Sequence, residues 1–264
     1  MKESGTLVLV KNVLFFLLWG VSLAAETFTL REGLAKAQVG DYIVTAQGKN
    51  LTLLHISQLQ GTLLTLEEIT APSSRVPQPQ QWKEWIQQNA PGNTSWVVYT
   101  LDLRDGQMAS VFSYTRNSRF QIPDADNFLS HLLNLQLEKV PEERMRRVGR
   151  SQNYGGANWR DIWQPLLVFE GTPLPGVLFY QWSARWRKDG SDLSGKWIDL
   201  YLPAQEGPYP SYFPYWLQIS GMIGKAKIRI IDSGTHMVSP KTKFSPPSAV
   251  QDTKSAPVLD PQIP

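Results

Sequence analysis

The chain has 264 residues, ten tryptophans, no cysteine and a formal net charge of +3. Its length is enough to bury a core by packing alone, and the missing thiols exclude disulfides, thiol catalysis and cysteine-ligated zinc or iron–sulfur centres. So small an excess of positive charge argues against a polyanion partner, nucleic acid included.

The first element reads as an export signal. Lys2 and Lys11 supply a basic region, Val13 to Leu23 an apolar run, and Ser22-Leu23-Ala24 a small-x-small cleavage site. The run is about 11 residues, too short for a membrane span of ~20, and no second run matches it, so no transmembrane segment is expected after cleavage. An exported chain without cysteine favours a bacterial periplasm or secretion from it. Residues 1–24 are therefore expected to leave, residues 25–238 to form a single domain, and the Pro-rich stretch 239–264 to be disordered.

Thr29-Leu30-Arg31-Glu32 matches a capping box and predicts a short helix from Leu30 to about Lys36. Three antiparallel strands follow, near Tyr42 to Ala46, Leu51 to Gln58 and Leu63 to Ile69, separated by Gly-containing turns. Trp82, Trp85 and Ile86 fall at i, i+3 and i+4, the stripe of a helix that stops before Pro91-Gly92. Trp96 to Arg116 reads as a hairpin about Asp105-Gly106. Phe128, Leu129, Leu132, Leu133 and Leu135 predict a second amphipathic helix running to about Glu138, followed by a charged surface excursion through Ala157.

Strands return in the C-terminal half. Leu178, Tyr180, Trp182, Ala184 and Trp186 alternate with Gln181, Ser183, Arg185 and Arg187, as on a sheet with one dry face. Lys196 to Leu202, Tyr215 to Ile219 and Lys225 to Asp232 complete the series. Between them, Pro203 to Tyr215 carries too many prolines for an interior strand and is read as a semi-rigid cover over an apolar surface.

Candidate chemistry is sparse. His55, His131 and His236 lack metal-ligand spacing, no Gly-x-Ser-x-Gly elbow or nucleotide fingerprint occurs, and no cofactor or metal is expected. Glu67, Glu68, Asp161, Glu170 and Asp199 are the carboxylates that a glycoside hydrolase could use, but Glu67 and Glu68 point to opposite faces of one strand and cannot act together.

Gly40-Asp41-Tyr42-Ile43-Val44, Trp82-Lys83-Glu84-Trp85, Pro91-Gly92-Asn93-Thr94-Ser95-Trp96, Leu193-Ser194-Gly195 and Phe213-Pro214-Tyr215-Trp216 resemble phrases of uncharacterised exported proteins from chlamydia-like bacteria. That resemblance implies no function. In element order the chain is also similar to the periplasmic lipoprotein-carrier fold, a curved antiparallel sheet closed by helices.

The expected fold is thus α+β: a curved antiparallel sheet, an open half-barrel, with two or three helices, including those around Trp82 and Leu132, on its concave face. The expected function is non-enzymatic. Tyr180, Trp182, Trp186, Tyr215 and Trp216 are the candidate ligand-binding residues, lining an aromatic groove for a lipid or lipoprotein acyl chain. The competing expectations are an envelope structural protein that binds another protein through sheet edges or the tail, and an envelope glycoside hydrolase.

Overall fold

The computed structural model describes residues 26–76, 81–120, 128–149, 160–220 and 225–241. The expected signal segment and positions 242–264 of the expected tail lie outside the described residues.

Two consecutive meanders build most of the sheet. The first runs β2 (Tyr42–Gln47), β3 (Asn50–Gln60), β4 (Leu63–Pro72), β5 (Ser95–Asp102), β6 (Gln107–Ser113) and β7 (Ser118–Phe120). The second runs β11 (Phe179–Arg185), β12 (Trp197–Pro203), β13 (Trp216–Ser220) and β14 (Lys225–Gly234). The last strand of the second joins the first strand of the other, Arg229 facing Ala46 and Gly234 facing Tyr42, so the two halves share one antiparallel ladder. β8 (Leu137–Lys139) and β1 (Thr27–Phe28) extend the β11 side, and the sheet ends at β1 and β7 without closing. A small hairpin, β9 (Leu167–Phe169) and β10 (Thr172–Leu174), attaches through a parallel contact, Ser233 to Phe169.

Among the described residues three short α-helices accompany the sheet: α1 (Leu30–Leu34), α2 (Trp82–Gln87) and α3 (Phe128–Leu133). The capping box forms at α1, where Thr29 Oγ1 accepts from the Glu32 N–H at 3.2 Å and Glu32 Oε2 accepts from the Thr29 N–H at 2.8 Å.

The helix around Trp82 does not share a face with the one around Leu132, which corrects that part of the expected packing. Residues of one strand alternate between two separate cores: Ile43, Leu64, Leu66 and Leu101 pack with Leu30, Leu34, Leu132 and Leu133, whereas Tyr42, Val44, Leu53, Ile69 and Trp96 pack with Trp82, Trp85 and Ile86. α1 and α3 therefore cover one side and α2 the other. The apolar stripe of α2 had to be buried somewhere, but its heavy indoles match the side of β2–β5 that carries Val44, Leu53 and Ile69. The strand-period alternation, not the helix, decides which side that is.

Boundaries shift where tertiary pairing overrides a helical period. The expected second helix ends at Leu133, and Leu137–Lys139 is a strand instead, because Leu137 is fully buried and its neighbours complete ladders to β1 and β11. Beyond Val238, Ser239 is buried and Lys241 is still hydrogen-bonded, so the packed part of the domain passes the expected limit at 238.

Candidate functional site

On the α1/α3 side, the β2–β6 half of the sheet is incompletely covered. A cavity of about 590 Å³ lies between the strands, the two helices and the loop before β13. Ile43, Leu54, Leu64, Leu66 and Leu101 form its floor, Leu30, Leu34, Leu132 and Leu133 hang from the helices, and Leu217 and Ile228 close one flank. These side chains share a side because the register puts Leu54 opposite Glu68, Leu66 opposite Tyr99 and Leu64 opposite Leu101, and residues two apart along each strand repeat the orientation.

Three residues of the Pro-rich segment, Tyr212, Phe213 and Pro214, line the cavity. The segment is tied down by the buried Tyr212 hydroxyl, which donates to Asp41 Oδ2 at 2.7 Å, while the Gln38 N–H donates to the same oxygen at 3.2 Å. Burial, then the carboxylate beside it, pushes the Tyr212 phenol well above its ordinary range, so it stays a donor. Tyr212→Phe deletes one of these bonds and leaves a buried carboxylate under-satisfied. It should cost about 1–3 kcal/mol in urea unfolding, and an unchanged midpoint would show that the tether contributes nothing.

The cavity wall is polar at one end only. Thr45, Thr52 and Glu68 lie toward the β2–β3 turn with Gln47 exposed at the rim. Tyr99, half-buried, lines the cavity beside Glu68, two residues along the neighbouring strand from the residue paired with it. Burial raises the Glu68 pKa, and the nearby Tyr99 hydroxyl offsets part of that rise. The native carboxyl thus keeps its proton to a higher pH than the unfolded chain does, and stability falls as pH climbs above the ordinary value of 4.5 until the raised native pKa is passed. Glu68→Gln removes that loss: its melting temperature should exceed the parent's at pH 7 and the difference should vanish near pH 4.

The five aromatic residues proposed from sequence do not converge on this cavity. Trp182 and Trp186 lie on the same side of the sheet but beside it, where Trp182 packs on Phe28 with centroids 5.3 Å apart and Trp186 stacks on Phe128 at 5.6 Å. Tyr180 is exposed under Lys139 Nζ, 3.5 Å from its ring centroid. Tyr215 is buried, its hydroxyl donating to Ser233 Oγ at 3.0 Å. Trp216 sits on the opposite side from Leu217, edge-on to Trp163 at 4.9 Å, in a polar cleft of about 370 Å³ shared with Arg144, Arg146, Asp199 and Lys227. The physical reason is size. Trp182 and Trp186 are buried and fill the gap between sheet and covering elements, and this cavity remains where the sheet is carpeted with leucine and threonine.

A second polar cluster is structural. His55 Nδ1 lies 2.9 Å from Glu67 Oε2, His55 Nε2 lies 3.1 Å from the Met237 carbonyl, and Ser239 Oγ donates to Glu67 Oε1 at 2.8 Å, all of them buried. The hydroxyl meets the carboxylate and not the imidazole, so the set does not have the order of a nucleophilic triad. It fastens residues 237–239 across the α2 side. Of the other carboxylates, Glu170 pairs with Lys83 at 2.6 Å and Asp199 accepts from Ser183 at 2.8 Å. Among the described residues no group of three or more His, Asp or Glu is placed to hold a metal ion, and no helix is long and apolar enough to cross a membrane.

Sequence reasoning missed the aliphatic lining and the Glu68–Tyr99 pair. The available signal was Leu64, Leu66 and Glu68, a carboxylate continuing an apolar every-second-residue row on a strand covered on both sides.

Residues 52–175 match the family model described as CT021 protein. The fold is similar to a solved structure of the hypothetical protein CT021 from Chlamydia trachomatis, with a TM-score of 0.60 and 18% identity over 83% of this chain and 99% of that one. The resemblance to uncharacterised chlamydial proteins read from sequence is thus supported in both family pattern and fold. No curated protein matches the sequence.

Proposed function

We propose that this chain is an exported, non-enzymatic envelope protein that holds the acyl chain of a lipid or lipoprotein in the cavity between β2–β6, α1 and α3. The observation that carries the reading is the cavity of about 590 Å³ walled by leucine and isoleucine, a volume in the ordinary range for small-molecule sites. An aliphatic wall of this extent is costly to leave in water, and an apolar ligand is what such a wall suits. Burying about 300 Å² of acyl surface at roughly 25 cal/mol/Å² would give about 7.5 kcal/mol before ordering costs, which suits reversible holding. The N-terminal signal pattern supports export, and an envelope is where such a chain would meet its cargo.

Native mass spectrometry of protein purified from its own envelope, followed by solvent extraction, tests this. A bound amphiphile near unit stoichiometry is expected. Polypeptide mass alone, together with failure of amphiphiles of every head group to bind the purified protein, would remove the reading.

A further inference from the structure

The cavity's asymmetry says more than its volume. Its ionisable carboxylate is Glu68, and no Lys, Arg or His is among its described lining residues. The register sets Glu68 on the row between Leu54 and Val97, one step toward the rim from the buried Leu66. A chain lying on the leucine floor would therefore bring its polar end to Glu68 and Tyr99.

The chemistry of that position is selective. A carboxylate or phosphate head would meet Glu68 in a desolvated wall with no cation to neutralise either charge. A hydroxyl or amide head could donate a bond to the Glu68 carboxylate. An ammonium head would make a charge-assisted pair, and burial, which makes ionisation of Glu68 costly, increases what such a partner relieves.

We propose, on the basis of the acyl-holding reading above, that Glu68 and Tyr99 discriminate between head groups, admitting amphiphiles whose head donates hydrogen bonds or is cationic and refusing those that end in a carboxylate or phosphate.

The test uses the signal-free full chain loaded with the apolar fluorophore N-phenyl-1-naphthylamine, displaced at pH 7 by three probes of equal chain length: dodecylamine, monododecanoylglycerol and dodecanoate. The amine and the glyceride should displace at concentrations at least about tenfold lower than dodecanoate. Glu68→Gln should shrink the gap between amine and dodecanoate to within about threefold, and Tyr99→Phe, which keeps the charge and deletes the neighbouring hydroxyl, should leave or widen it. Equal displacement by all three probes, or an unchanged gap in Glu68→Gln, would overturn the discrimination while leaving the cavity reading intact. If Glu68→Gln does not fold, loss of the gap in Tyr99→Phe would overturn the charge-based account and a gap kept or widened would support it. Displacement by none would remove both.

Discussion

Leu54→Trp should abolish amphiphile binding while leaving the protein folded. Leu54 is half-buried, lines the cavity and faces Glu68 across the β3–β4 ladder, so an indole there takes up space that the acyl chain would occupy. Overpacking a full core costs about 1–3 kcal/mol, and at this site the cost should fall at the lower end. Losing most of the buried acyl area should lower probe affinity by about a hundredfold or more, equivalent to about 3 kcal/mol of the apolar gain. Fluorophore titration gives the affinity and a thermal melt gives the stability. A variant that folds and binds as the parent does would show that the probes bind elsewhere.

The contrast with Trp186→Ala is informative, because that ring belongs to the same side of the sheet and carried the sequence-based expectation. Trp186 is buried, stacks on Phe128 and donates to Asp189 Oδ2 at 2.9 Å. Its role is to fill space beside the cavity, so its loss bears on stability before it bears on a ligand.

Strands and turns were legible in the sequence because their signal is local. The alternation from Tyr42 onward, the hairpin about Asp105-Gly106 and the capping box at Thr29 each specify an element within a few residues, and each is present. What was not legible is how the elements stack. Trp82, Trp85 and Ile86 announce an apolar helix face, yet they contain nothing that selects one side of the sheet over the other; Val44, Leu53 and Ile69, 13 to 38 positions earlier in the chain, do that. β1 and β8, two and three residues long, exist only through pairing with each other and β11, and no local pattern marks them. The candidate site failed for a related reason: residue size predicts what fills a core, whereas a cavity is what remains after filling. The inference that did carry over is the simplest one, that Glu67 and Glu68 point opposite ways.

That alternation divides the labour along β4. Leu66 and Glu68 face the cavity, and Glu67 faces His55 and Ser239 on the α2 side. Glu67→Leu should therefore destabilise strongly without touching binding by the protein that remains folded. The substitution strands the His55 ring and the Ser239 hydroxyl in a dry environment, and removing one member of a buried pair typically costs about 3–5 kcal/mol. The Met237 carbonyl only accepts, so His55 Nε2 carries a hydrogen, and Nδ1 loses its hydrogen-bond partner. The double variant His55→Leu/Glu67→Leu removes both polar groups together and should recover about 1–3 kcal/mol relative to the sum of the singles. Urea denaturation of the four proteins measures the cycle, and strict additivity would show that the pair is not coupled. The same network dictates how the Pro-rich tail should be tested. Cutting at Val238 removes Ser239 and with it a partner of Glu67, so a change in stability would be mistaken for loss of a tail function. Cutting after Lys241 preserves the bond from the Tyr114 hydroxyl to the Lys241 carbonyl at 3.1 Å as well, and partner capture by that shorter chain isolates what residues 242–264 contribute.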